Sequence, residues 1–172
     1  MIPGLPQPNP SYGTHFPVLA SIVSATSGDV AEVGSGQFST PLLEAIVRPP
    51  RRWTSFETDL NWLHSLRHPR LPNHDLRIIG PLQVPDLSRY EVALIDGGEP
   101  SFRADIALHC NARVLIVHDA NPDWEPTYHY RERLLRCFRY HAFYCRLNPW
   151  SLILSDSLDP FALMPSGLLF RE

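Results

Sequence analysis

The chain has 172 residues, a formal net charge of -3 and a 44% hydrophobic composition. Those values fit one domain with a real core, and no apolar run reaches the roughly 18 residues needed to span a bilayer. The mildly acidic balance gives no general pull toward nucleic acid or an anionic membrane, so neither is an expected partner. All 15 basic residues are arginine, which excludes a lysine base or a lysine Schiff base. Cys110, Cys137 and Cys145 are odd in number and lack a CxxC spacing. They read as reduced thiols without a function of their own, in a cytoplasmic protein.

Residues 1–15 hold Pro3, Pro6, Pro8 and Pro10 without the basic start and apolar run of a secretion signal. They read as a loose Pro-rich arm. A helix over residues 16–25 leads to a short strand at 30–33, a tight turn at Gly34-Ser35-Gly36 and a helix over 40–47. Pro49-Pro50 stops that helix. A second strand over 52–57 ends in Glu57, and Leu60, Leu63 and Leu66 give residues 59–67 helical spacing. Residues 74–79 predict a third strand, 90–95 a fourth and 101–110 a helix. The segment 80–89, broken by Pro81 and Pro85, is too interrupted for a full helix. Residues 112–117 are nearly all apolar, as in a strand buried on both faces. A helix over 128–137 follows, then strands over 139–146 and 150–155 around Leu147-Asn148-Pro149, a hairpin signal.

The alternation predicts an α/β fold: a single Rossmann-like doubly wound sheet, mostly parallel, closed by a C-terminal antiparallel hairpin. The arm would be residues 1–15, the domain 16–156 and the tail 157–172, the last trailing over the surface. The hairpin strand would leave an edge open to a homodimer.

In an open parallel sheet, ligands bind beyond the carboxyl ends of the strands. Four predicted strand ends carry glycine or polar groups: Gly34-Ser35-Gly36, Glu57, Asp96-Gly97-Gly98 and His118-Asp119. The glycine turn lets a ligand approach the backbone at a helix start. Glu57 lies roughly 20 residues beyond Gly34, the spacing of an acid that accepts ribose hydroxyls; capping the next helix is the competing role, which Thr58 or Asp59 could fill. Glu32, just before the glycines, would repel a pyrophosphate and suits a cationic ligand such as S-adenosylmethionine. It would equally serve to stiffen the loop through hydrogen bonds. Ser39 stands where a dinucleotide fold wants glycine for close helix packing. Trp124, Tyr128 and His129 either wall a pocket or pack on the sheet. His64, His68 and His74 lack metal spacing and read as solvated surface, so no metal ligand set is assigned to them, and Arg48, Arg51 and Arg52 read as a solvated turn.

The segments 30–36 with Ser39-Thr40, 54–59 with Trp62-Leu63, 94–99, 103–105 and 117–119 together resemble the class I S-adenosylmethionine-dependent methyltransferases. The resemblance is closest to the small O-methyltransferase-like branch that includes bacterial sugar- and antibiotic-biosynthesis enzymes, and it spans about residues 16–156. It implies S-adenosylmethionine as cofactor and a small-molecule methyl acceptor such as a sugar, phenol or secondary metabolite. Glu32 and the Gly34-Ser35-Gly36 loop would border the methionine part, Glu57 the ribose and Thr58 or Asp59 the adenine, with Ser39 also among the cofactor-binding residues. Asp96 would lie near the transferred methyl; His118 and Asp119 would face the acceptor, as a base or as ligands of a magnesium ion shared with Asp96. The chain departs from the pattern in carrying Glu99 where relatives often have histidine, and Ala120 between Asp119 and Asn121. Metal dependence is left open by those departures. Two competing readings are a catalytically inactive binding or assembly module on this fold, and a nicotinamide-dependent oxidoreductase, which Glu32 and the terminal hairpin oppose.

Overall fold

The computed structural model describes residues 9–66, 71–165 and 167–172. The predicted helix end at residue 67, His68 and most of the Pro-rich arm lie outside them. Seven strands form one sheet: β1 (Val30–Val33), β2 (Trp53–Glu57), β3 (His74–Ile78), β4 (Val92–Ile95), β5 (Val114–His118), β6 (Tyr140–Tyr144) and β7 (Ser151–Ser155). Their order is β3-β2-β1-β4-β5-β7-β6. The first five run parallel, and β7 is antiparallel to both β5 and β6. Every residue of β1, β2, β4, β5 and β7 is buried, which is why β4 and β5 read as apolar runs without alternation.

Successive side chains of these strands feed two cores. Val30, Val92, Leu94, Val114 and Ile116 pack beneath α1 (Phe16–Ser24) and α2 (Ser39–Ile46), through Val18, Leu19, Leu42 and Leu43. Ala31, Val33, Ala93, Ile95, Leu115 and Val117 meet α4 (Arg103–His109) and α6 (Tyr130–Leu134), through Ala104, Ala107, Tyr130 and Leu134. Each fully buried Val, Leu or Ile contributes about 1.5–3 kcal/mol. Both faces are covered, so the ligand-accessible ground is the rim. The short α3 (Leu60–Ser65) stands at that rim, capped by Asp59, whose carboxylate accepts from Asn61 N and Trp62 N.

After β1 the chain turns toward β2, and after β4 toward β5 on the opposite side. The crevice of an open sheet forms where those connections part. Here the two loops touch. A Cβ on Gly97 would stand 2.2 Å from Gly34 Cα, and one on Gly34 would stand 2.4 Å from Gly97 Cα. Gly34 also has φ +94°, a left-handed conformation in which glycine is unstrained.

Several segments differ from their sequence reading. Residues 128–137 form no continuous helix: α5 (Glu125–Tyr128) and α6 are separated by His129 at φ 54°. The Glu125 carboxylate accepts from Arg131 N and Glu132 N, taking up amides that a continuous helix would have bonded to carbonyls. The helix predicted from 101 starts as a 3-10 turn over Pro100–Phe102. The tail does not trail over the surface. It forms α7 (Pro160–Leu163), buries Pro160 and Met164, and packs Leu158, Leu163, Leu168 and Leu169 against the core. Phe170 exchanges backbone bonds of 2.9 and 3.0 Å with Phe143, so the edge of β6 that would serve a homodimer is partly occupied by the chain itself. Arg51 is no solvated turn residue: it donates to Gly28 O and Val23 O at 2.7 and 2.8 Å. His74 is half-buried and stacks on Trp53 at 3.6 Å.

A methyl group at the Gly34–Gly97 contact would meet backbone, which cannot rotate away. Gly97→Ala is expected to destabilise by about 3 kcal/mol or more, against less than about 0.5 kcal/mol for Gly80→Ala, where the added Cβ stands 3.7 Å from its nearest neighbour. Denaturant melts of the two variants measure the difference.

Candidate functional site

The Gly34-Ser35-Gly36 loop is held from below by side chains of the strands beside it. Gly36 N donates to Thr40 Oγ1 (3.0 Å), and Thr40 Oγ1 donates to Glu32 Oε1 (2.8 Å). Ser55 Oγ donates to the same Glu32 oxygen. Glu32 is fully buried and faces α2 beneath the loop. Its second oxygen and the Ser39 hydroxyl have no bond of good geometry. Burial pushes the Glu32 carboxyl up to about 7, against the nearby hydroxyls of Ser55, Ser39 and Thr40, which lower it.

From above, Glu57 joins the loop to the end of β2. Its Oε2 accepts from Ser35 N (2.9 Å), and its Oε1 accepts from Thr58 N (2.7 Å) and Asp59 N (3.0 Å). Asp59, not Glu57, caps α3. Trp62 Nε1 donates to Ser35 O at 2.7 Å and closes this end.

Across the crevice, Asp96 sits at the end of β4 among three cationic or imidazole groups. His118 Nδ1 is 2.9 Å from Oδ1, Arg103 Nη1 3.4 Å from Oδ1 and His15 Nδ1 3.5 Å from Oδ2. Burial alone would raise the Asp96 carboxyl; His118, His15 and Arg103 outweigh it and hold the group below the usual carboxylate range. Burial likewise opposes the charged form of His118, but Asp96 and Asp119 raise its pKa overall. The other nitrogen, Nε2, is 2.7 Å from Thr14 Oγ1, whose hydroxyl donates to Pro149 O at 2.7 Å. Since that one hydrogen goes to the carbonyl, Thr14 accepts from Nε2–H.

Asp119 follows β5 at φ 65°, a conformation Asp tolerates better than most residues. Its Oδ2 accepts from Arg103 Nη1 (2.8 Å) and from the Tyr128 hydroxyl (3.0 Å), and Oδ1 lies 3.3 Å from His118 Nδ1. Arg103, 9% exposed, also lies over the Tyr128 ring. Burial pushes the Tyr128 phenol up to about 12, so it donates near neutral pH.

These two halves enclose a cavity of about 590 Å³. Of the predicted site residues, Gly34, Ser35, Gly36, Glu57, Thr58, Asp96, His118 and Asp119 line it, with Trp124 and Tyr128. Glu32 and Ser39 do not; they lie under the loop. His129 is turned outward beside Glu132. Sequence reasoning missed Thr14 and His15, at the end of the supposed loose arm. Both are buried, Ser11 and Tyr12 line the cavity, and no local pattern marks them. A magnesium ion shared by Asp96 and Asp119 does not fit these residues, because Arg103 Nη1 already lies between the two carboxylates.

The raised Glu32 pKa has a definite sign. Between about pH 4.5 and 7 the folded chain holds a proton the unfolded chain has lost, so stability falls as pH rises through that window. Glu32→Gln removes the dependence. Its melting temperature relative to the native chain is expected to climb from pH 5 to pH 8, by the equivalent of a few kcal/mol at order of magnitude. A constant offset would show that Glu32 stays charged.

No protein-family model matches the chain, and no curated protein matches it. Solved structures do. Spermidine synthase from Thermotoga maritima superposes with a TM-score of 0.63 at 14% identity, over 90% of this chain and 63% of that one. A spermidine synthase in complex with the transition state analogue AdoDATO gives 0.62 at 15% identity, over 88% and 61%. The mitomycin 7-O-methyltransferase MmcR gives 0.46 at 14% identity, over 80% and 52%. The chain thus spans about three fifths of the length of the two synthases. With a doubly wound sheet and its antiparallel β6–β7 hairpin, the chain has the α/β fold of the class I methyltransferases.

Proposed function

We propose that the chain is an S-adenosylmethionine-dependent methyltransferase acting on an oxygen of a small molecule. The observation that carries this reading is the charge of the cavity. Glu57, Asp59, Asp96, Glu99 and Asp119 line it, and among the described lining residues the cationic groups are His118 and Arg103. Arg103 is already paired with Asp96 and Asp119. Such a lining attracts a sulfonium and repels the pyrophosphate of a nicotinamide dinucleotide. The volume suits a nucleoside-sized ligand with room for a small acceptor, and one structure of this fold holds AdoDATO.

In this reading the backbone of Gly34-Ser35-Gly36 lies along the methionine part, Glu57 accepts a ribose hydroxyl hydrogen with the Oε2 lone pair that Ser35 N leaves open, and Thr58 and Trp62 border the adenine. The sulfonium carbon–sulfur bond breaks, its electron pair stays on sulfur, and the methyl forms its new bond to the acceptor oxygen. The acceptor's proton leaves toward the Asp96–His118–Asp119 group, with Asp119 as the base; Tyr128, whose hydroxyl hydrogen goes to Asp119, holds that carboxylate in place. The main contribution is alignment of nucleophile, carbon and sulfur. A second reading, alkylation of an amine, draws on the same excess of carboxylates, which would also hold a cationic acceptor. The two synthases that share the fold are named for a polyamine.

Calorimetric titration with S-adenosylmethionine and S-adenosylhomocysteine tests the cofactor. Micromolar binding is expected, weakened at least tenfold, or about 1.4 kcal/mol, in Glu57→Ala, with no binding of nicotinamide nucleotides. Asp119→Asn is expected to retain cofactor binding and lose turnover by about 100-fold. Absence of binding to either sulfur nucleotide would sink the transferase reading, and a panel of phenols, sugars and diamines separates oxygen from amine acceptors.

A further inference from the structure

Two imidazoles meet one carboxylate at the inner wall of the cavity. His15 is 1% exposed, and both of its ring nitrogens lack a hydrogen-bond partner. A buried polar group left so costs free energy unless something else binds it. Its Nδ1 is 3.5 Å from Asp96 Oδ2, and the His15 and His118 rings meet edge to face at 4.8 Å between centroids. On the other side, Thr14 accepts the Nε2 hydrogen of His118 and leaves Nδ1 directed at Asp96 Oδ1. The hydrogen on Nδ1 bridges it to Asp96 Oδ1, and a divalent ion can take that proton's place. A second hydrogen-bond partner that fixes the tautomer is the usual support of a metal-ligating histidine.

We propose that His15, Asp96 and His118 bind a divalent transition-metal ion of the zinc or cobalt type. The donor atoms of the three residues all lie within 4.8 Å of one another. Bond lengths of about 2.0–2.1 Å place neighbouring ligands about 3.0–3.5 Å apart. His118 Nδ1 stands 2.9 Å from Asp96 Oδ1 and His15 Nδ1 3.5 Å from Asp96 Oδ2, so each carboxylate oxygen lies near that range from one imidazole. Two imidazoles and one carboxylate favour a borderline ion over magnesium, which demands oxygen ligands. Arg103 approaches Oδ1 of Asp96, while Oδ2 faces His15 and stays open to the ion. Metal entry displaces a proton from His118 Nδ1 into solvent. Asp96 and His118 line the cavity, so an open coordination position would face it; on the transferase reading, an acceptor oxygen could fill that position.

The test uses the full chain, stripped with chelator, dialysed and titrated with cobalt(II) chloride. One cobalt per chain is expected, with a visible ligand-field band that zinc(II) abolishes and magnesium(II) does not. His15→Gln is expected to weaken binding at least 100-fold with an unchanged circular dichroism spectrum. Thr14→Val keeps all three ligands and is expected to weaken it about 10- to 100-fold, which preserves the test if the His15 variant does not fold. Absence of a stoichiometric site, or equal titrations of the native chain and both variants, would overturn the proposal. S-adenosylmethionine titration of the same preparation keeps the two readings distinct: cobalt binding without cofactor binding supports the metal site and removes the transferase. Cofactor binding without a cobalt site does the reverse.

Discussion

The contact between Gly34 and Gly97 sets the geometry from which the rest of the site follows. Two neighbouring parallel strands must send their chains in opposite directions, and here the departing backbones touch instead of standing apart. That closeness lets Ser35 N reach Glu57 on one flank while Asp96 turns toward β5 on the other. A side chain at either glycine would pry the rim open and separate the groups a ligand must bridge. The cavity is therefore a property of two backbone positions before it is a property of any reactive group.

Electrostatics divide the cavity into two dissimilar halves. Around Glu57 the carboxylate is satisfied by backbone amides, an arrangement that orients it without a compensating cation. Around Asp96 the carboxylates are held by Arg103 and His118, with the His15 ring beside them, and each of those charges is buried because its partner is. Removing one member leaves the others costly, so this half is rigid as a unit. One half presents acceptors to a hydroxyl-rich ligand, and the other holds a dense, prearranged set of charges beside it. Such a division suits a cofactor with a neutral sugar at one end and a reacting centre at the other.

Much of this was legible in the residues. Strands buried on both faces announce themselves as apolar runs, and a parallel sheet puts its strand ends on one rim, so Gly34, Glu57, Asp96 and His118 could be gathered without coordinates. Of the two roles open to Glu32, the structure displays the one that stiffens the loop: position along the strand does not disclose depth, and the side chain projects under the turn, where Thr40 and Ser55 take it up. The break at His129 was hidden because the competing acceptor is a side chain, Glu125, several residues before the amides it captures. The tail was underestimated because its apolar residues, Leu158, Leu163, Leu168 and Leu169, carry no regular period, yet find a core face left open by the short helices.

By itself, the order of apolar runs, glycines and strand-end acids determined the layered α/β architecture and the rim where a ligand binds, since periodicity and turn chemistry act over a few residues. Only the tertiary structure decided which charges meet. His15 lies far along the chain from Asp96 and His118, and Arg103 reaches two carboxylates on different strands. Such contacts depend on how separate elements pack, and no local propensity encodes them. The segment that ends in Thr14 and His15 becomes part of the site because the sheet offers it a buried place beside Pro149 and His118.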